Sequence, residues 1–240
     1  MAEPRATGAA VCVLAGTAAA TLAVVAGPGP GLTGYVSEAG VAGSGYAWTY
    51  RLGVFALGAA LLLLAAALRD HAAPHGHPRT HQDRPAGQRD KALRVAVALL
   101  VAGGLATGLS GAVTCSSGCP LPPFETPTVA DLVHGAASVA AAAATVLAMI
   151  AIILSRTAQQ PLRRTATISV AAALPLAGAV ALAMLLVGRG SLAGVLERVL
   201  LLVIVAWGVV TAVILATGAA PAGRHHSSER APAHRGRPPG

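Results

Sequence analysis

The sequence predicts an all-α fold: a polytopic transmembrane bundle of six helices with both termini in the cytoplasm. Three observations predict it. Six apolar runs each reach about twenty residues, the length a helix needs to cross a hydrocarbon core of about 30 Å. Hydrophobic residues make up 55% of the chain and charged residues 11%, where a soluble domain carries about 25% charged residues. Basic residues also fall unevenly on the segments between the runs. Arg5, the six Lys and Arg between Arg69 and Arg94, the trio Arg156, Arg163 and Arg164, and four in the tail lie on one side, leaving only Arg51, Arg189 and Arg198 for the other. Basic residues mark the cytoplasmic side, so residues 28–51, 114–128 and 189–198 are expected to face outward. Backbone in lipid must satisfy its own hydrogen bonds, which leaves helices or barrels. The ten-residue alternation of barrel strands is absent.

The first span, Thr7–Gly27, is Ala-rich, and its Cys12 reads as a small buried apolar residue. Its rival reading is a signal peptide over Met1–Gly27, whose cleavage would leave five helices. The second span, Leu52–Leu68, follows Tyr46, Trp48 and Tyr50, which fit an interfacial aromatic belt. Loop 69–91 is polar, rich in His, Pro and Arg, and is expected to be cytoplasmic and mobile. The third span, Ala92–Val113, carries Gly104 and Gly108 at GxxxG spacing. The fourth, Val129–Leu154, repeats Ala136, Ala140 and Ala144 at i+4. Small residues let helix backbones approach, so both patterns read as packing within one bundle or as a dimer face. Pro175 removes a backbone donor in the fifth span, Ala166–Gly188, and is expected to kink it. The sixth span is Val199–Thr217. Two regions result, a transmembrane domain over 1–217 and a basic disordered tail over 218–240. The net charge of +8 sits in loops and tail beside the membrane. The expected partners are therefore membrane lipids, with anionic headgroups at the cytoplasmic face, and no nucleic acid.

The outward side carries the unusual residues. Cys115 and Cys119 would lie in an oxidising compartment, where a disulfide is the leading reading. Free thiols and a metal pair remain alternatives, and the further ligands a metal needs are distant in sequence. Asp131 and His134 are i and i+3 on one helical face at the entry to the fourth span. Asp131 suits an N-terminal cap, and His134 is the one histidine inside a span. Ionisable groups at that depth face a bundle interior or a wet cavity. Glu38, Arg51, Glu197 and Arg198 also crowd the outward helix ends, and an extracytoplasmic binding cluster of these residues with Asp131 and His134 is expected. On the opposite side His71, His75, His77 and His81 fall within eleven residues, and His225, His226 and His234 lie in the tail. Imidazoles ligate zinc, nickel or copper, yet solvated low-complexity sequence is the expected role, and no metal is assigned to them.

The segment Tyr35-Val36-Ser37-Glu38, the Tyr50-Arg51-Leu52-Gly53 start of the second span and the Asp131–His134 start of the fourth together resemble a bacterial, actinobacterial-type family of six-helix membrane proteins catalogued as domain of unknown function 998. The resemblance covers most of the chain. It implies a six-helix fold and importance for Ser37, Glu38, Arg51, Asp131 and His134; no activity comes with it. The His-rich loop and the Cys115/Cys119 pair are not part of the family pattern.

No phosphate-binding loop, dinucleotide fingerprint, HExxH motif or serine-hydrolase elbow is present. Paired histidines for a bis-His haem are missing from the spans. A non-enzymatic role is expected, without cofactor, in a cell membrane. Three readings compete: a protein with an outward polar pocket for a lipid or small molecule, a small proton-coupled permease, and an envelope scaffold. A second copy of the chain or an envelope protein is the expected protein partner.

Overall fold

A computed structural model describes residues 2–27, 31, 34–72 and 90–218. Six helices account for most of them: α1 Ala2–Ala26, α2 Ala47–Ala72, α3 Lys91–Ala112, α4 Val129–Leu154, α5 Gln160–Leu186 and α6 Ser191–Thr217. A 3-10 turn, Val36–Gly40, sits between α1 and α2. No strand occurs among the described residues. All six helices are long and apolar enough to cross a membrane. The chain is an integral, multi-pass membrane protein.

Four helix starts lie ahead of the expected spans for a local reason. α1 begins at Ala2, α2 at Ala47, α5 at Gln160 and α6 at Ser191. In each case polar residues extend the helix past its apolar run. Helical geometry tolerates them, with Pro161 in the first turn of α5. Arg51, Glu197 and Arg198 therefore lie inside helices rather than ahead of them. Pro175 is accommodated within α5, which runs unbroken to Leu186. Most of loop 69–91 and of the tail, with His75, His77, His81, His225, His226 and His234, lies outside the described residues.

The helices pack in chain order around a ring, and α6 closes it against α1. α1 starts and α6 ends at the same end of the bundle, called here the terminal end. Glycines set the tightest approaches. A Cβ on Gly53 would stand 2.7 Å from the Gly16 carbonyl oxygen, and one on Gly104 would stand 2.9 Å from that of Gly58. The GxxxG residue Gly104 thus packs α3 on α2 within one chain. In α4 the expected small-residue stripe is split: Ala144 is buried, whereas Ala136 and Ala140 are exposed.

Leu64, Leu100, Met149, Ile152 and Leu215, with Trp207, form a dense apolar core toward the terminal end. Two polar ties close that end. Arg5 and Asp70 pair at 2.5 Å between α1 and α2. Asp90 caps α3 through the Ala92 amide at 3.0 Å and also accepts from Ser155 Oγ at 2.6 Å and the Arg156 amide at 2.8 Å, in the α4–α5 connection. Burial pushes the Asp90 carboxyl up, but hydrogen bonds from Ser155, Thr157 and Leu93 outweigh it and hold the group well below the usual carboxylate range.

Candidate functional site

At the end opposite the termini the ring stays open around a cavity of about 770 Å³. Ordinary protein interiors hold few voids larger than a water molecule. Ligand pockets span roughly 300–1,000 Å³, so this volume is of binding-site size. Side chains from all six helices line it. The wall is mostly apolar, with Leu57, Leu61, Val139 and Ile204 among its residues. Ser37, Asp131, His134, Glu197 and Arg198 gather in the same lining. Four residues of the sequence-predicted cluster, together with Ser37 from the family resemblance, thus share one cavity. Arg51 lines a separate small void with Ser37, Cys115 and His134. Glu38 lines neither.

Asp131 is 1% exposed, and a carboxylate buried so deeply needs full hydrogen bonding. It has it. Thr128 and Asp131 form a capping box at the start of α4. Asp131 accepts from the Thr128 amide at 2.8 Å and from Thr128 Oγ1 at 2.6 Å. Ser116 adds its amide at 2.6 Å and its hydroxyl at 2.9 Å. Asp131 therefore ties the loop after α3 to the head of α4.

His134 lies one turn deeper and is 6% exposed. Its Nδ1 is 2.9 Å from the Ser110 carbonyl oxygen and 2.8 Å from that of Val113. Carbonyl oxygens only accept, so the network assigns the proton to Nδ1. The other nitrogen, Nε2, then carries a lone pair, and it is buried with no partner. Cys115 and Cys119 are joined as a disulfide in the loop just above. Gly118 (φ 84°) and Cys119 (φ 46°) both take left-handed backbone there, which brings the chain round a four-residue step. Ser37 Oγ stands 3.5 Å from Cys119 Sγ, linking the 3-10 turn to this loop.

The acidic and basic residues do not form one mixed cluster. Arg51 donates from Nε to the Gly111 carbonyl at 2.9 Å and from Nη2 to Ala112 at 3.2 Å, and it stacks on Trp48 at 4.6 Å. It caps the carbonyl end of α3, where a cation is favoured. Arg198 reaches the carbonyls of Gly194, Gly34 and Gly31 at 2.7, 3.0 and 2.5 Å. Glu197 accepts from the Val36 amide at 3.0 Å. Together they seat the segment before α2 on α6. Glu38 accepts from Arg189 Nε at 2.8 Å and Nη2 at 2.6 Å, a fork of two charge-assisted bonds. That pairing raises the Arg189 guanidinium above its ordinary value. Tyr35, buried at the foot of the turn, has its phenol pushed up by burial first and by Glu197 second.

Several contributors escaped the sequence. Arg189 was visible only as one of three basic residues on its side. Ser116 and Thr128, which satisfy Asp131, carry no motif beyond the capping spacing of Thr128. Thr17 and Trp207 line the cavity, and each holds a buried polar atom without a partner. Of the aromatic trio, Trp48 is exposed as an interfacial residue would be, whereas Tyr50 is buried under Gly40. Cys12 is half-buried rather than buried. Of the weak metal candidates, His71 Nε2 accepts from the Gln159 side-chain amide, and His75, His77 and His81 are outside the described residues.

A family model described as "Protein of unknown function (DUF998)" matches residues 83–214, more than half of the chain. The chain belongs to this family. The match takes in Cys115, Cys119, Asp131, His134, Glu197 and Arg198, and leaves Ser37, Glu38 and Arg51 outside it. No curated protein and no solved structure matches the chain.

Proposed function

We propose that this family member binds an amphiphilic molecule of the membrane, a lipid or a lipid-like small molecule, in the cavity between its helices, and performs no chemistry on it. One observation carries the reading: a largely apolar cavity of about 770 Å³ whose wall also holds Arg198, Glu197 and Ser37, and three residues, Thr17, His134 and Trp207, with unpartnered buried polar atoms. Buried polar groups are ordinarily satisfied. A ligand with an apolar body and a hydrogen-bonding head supplies what the wall lacks on both counts. The basic bias of the sequence supports placing the cavity on the outward side of a cell membrane, with both termini inside.

The test is native mass spectrometry of protein released from mild detergent. A retained amphiphile in the wild type, lost on filling the cavity by Ala142→Phe while the fold survives, is the expected result. A bare wild-type mass together with no binding of added lipids would end the reading. Proton-coupled transport draws less support from the geometry, because Asp131 is held by four donor groups at once. Solute flux in proteoliposomes that collapses in Asp131→Asn would favour transport instead.

A further inference from the structure

We propose that, once the Cys115–Cys119 bond is reduced, its two sulfurs and His134 form a binding site for a single soft cation, copper(I). The sequence places His134 15 and 19 positions after the two cysteines, with no ligand motif joining it to them. The fold closes the gap: both sulfurs and a ring nitrogen of His134 lie within 4.8 Å of one another, and all three residues are buried. Ligands that share one ion must lie about that close, given metal–sulfur and metal–nitrogen bonds of roughly 2–2.3 Å.

Three further observations point to a cation rather than to chance proximity. His134 is already arranged as a ligand. Its Nδ1 is engaged with the Ser110 and Val113 carbonyls, the outer-shell pattern that orients a metal-binding imidazole. Its Nε2 is left buried and unpartnered. A void of about 10 Å³, lined by Cys115, His134, Ser37 and Arg51 among others, adjoins the set, and that volume accommodates one guest of atomic size. The charges also suit a monovalent ion. Two thiolates and one copper(I) sum to −1, and the Arg51 guanidinium lines the same void.

The donor set selects the metal class. Thiolate ligands favour copper(I) and zinc. Structural zinc takes four protein ligands, whereas copper(I) accepts three. The neighbouring carboxylates are committed elsewhere, Asp131 to Ser116 and Thr128, and Glu38 to Arg189. The step balances as two events. A dithiol reductant gives two electrons and two protons to the Cys115–Cys119 bond and closes its own disulfide. Copper(I) then displaces both thiol protons to solvent as it binds. The disulfide form has no thiolate to offer, so binding is gated by reduction. This inference shares His134 Nε2 with the lipid reading, but it does not need the large cavity to be filled.

The experiment uses full-length protein carrying Cys12→Ser, reduced and desalted without oxygen, then titrated with copper(I) against a chromogenic chelator. One equivalent per chain is expected in the reduced protein and none at this site in the oxidised one. The equivalent should vanish in Cys115→Ser/Cys119→Ser, which retains every histidine as a control. It should weaken by roughly tenfold or more in His134→Gln. X-ray absorption of the loaded, reduced protein should show sulfur and nitrogen scatterers in a ratio of two to one. Undiminished binding in the double-serine variant overturns the proposal, and so does a spectrum with sulfur alone. The spectrum is read on the native His134 and so stands even where the His134 variant fails to fold.

Discussion

At the residue scale, Asp131 shows how a charge is kept in an apolar bundle. The four groups that donate to it are oriented by the Thr128–Asp131 box and by Ser116. Asp131→Asn would turn an amide N–H toward amides that already donate. We expect a loss of about 2–3 kcal/mol, read as a fall in thermal or denaturant midpoint in detergent; an unchanged midpoint would mean that the network does not hold the loop. Gly53 makes a different kind of point. Any Cβ there meets the Gly16 carbonyl oxygen at 2.7 Å, and that atom belongs to a helix backbone. Gly53→Ala should cost about 1–3 kcal/mol through forced separation of α1 and α2, whereas Gly108→Ala, with open space around it, should be nearly neutral. Equal stability of the two variants would contradict this packing.

At the element scale, the polar ties at the terminal end matter more than helix propensity. Asp90 holds the start of α3 to the α4–α5 connection through Ser155, Arg156 and Thr157. Its folded pKa lies below the ordinary 3.8. The tie therefore contributes fully above that value and is lost as the pH falls below it toward the folded pKa. Asp90→Ala should lower stability at neutral pH by about 2 kcal/mol and flatten the acid limb of the stability profile below pH 4. A variant whose acid limb matched the wild type would show that another carboxylate governs it. At the other end, the 3-10 turn is held by Glu197, Arg198 and the Glu38–Arg189 fork. Each bond joins backbone or side chain of the turn region to α6 or to the α5–α6 connection, so this short element is placed by tertiary contacts.

At the scale of the whole molecule, a ring of six helices is dense toward the terminal end and hollow at the other. Trp207 and Leu64 mark the change, both buried in the core and both reaching the cavity wall. Which end faces outward is a separate question, and the charge bias answers it with an expectation that can be measured. Cysteines placed at exposed Thr126 and exposed Gln160 lie at opposite ends of the bundle. In intact cells an impermeant thiol reagent should label Thr126→Cys and spare Gln160→Cys; the reverse pattern would invert the topology.

Much of the fold was legible in the chain. Six apolar runs, each too long for a core helix and too poor in charge for solvent, determine six membrane-crossing helices, because unpaired backbone groups are so costly in lipid. The fourth span was readable to its ends, since Thr128 and Asp131 mark the start and the polar Ser155-Arg156 step marks the stop. The starts of α5 and α6 were not, because helical hydrogen bonding continues through polar residues that a hydropathy reading places outside. Within the site, the helical spacing of Asp131 and His134 was legible, as was the crowding of charge at one set of helix ends. The pairing was not. Arg51 turned to the α3 carbonyls and Glu38 to Arg189, choices that depend on helix rotation and on the distance between chain segments. The tertiary structure alone decided that Cys115, Cys119 and His134 meet, and that the ring leaves room between its helices. Composition fixes the helices one at a time, because each satisfies its own backbone. Side-chain partners and empty volume belong to the arrangement of all six.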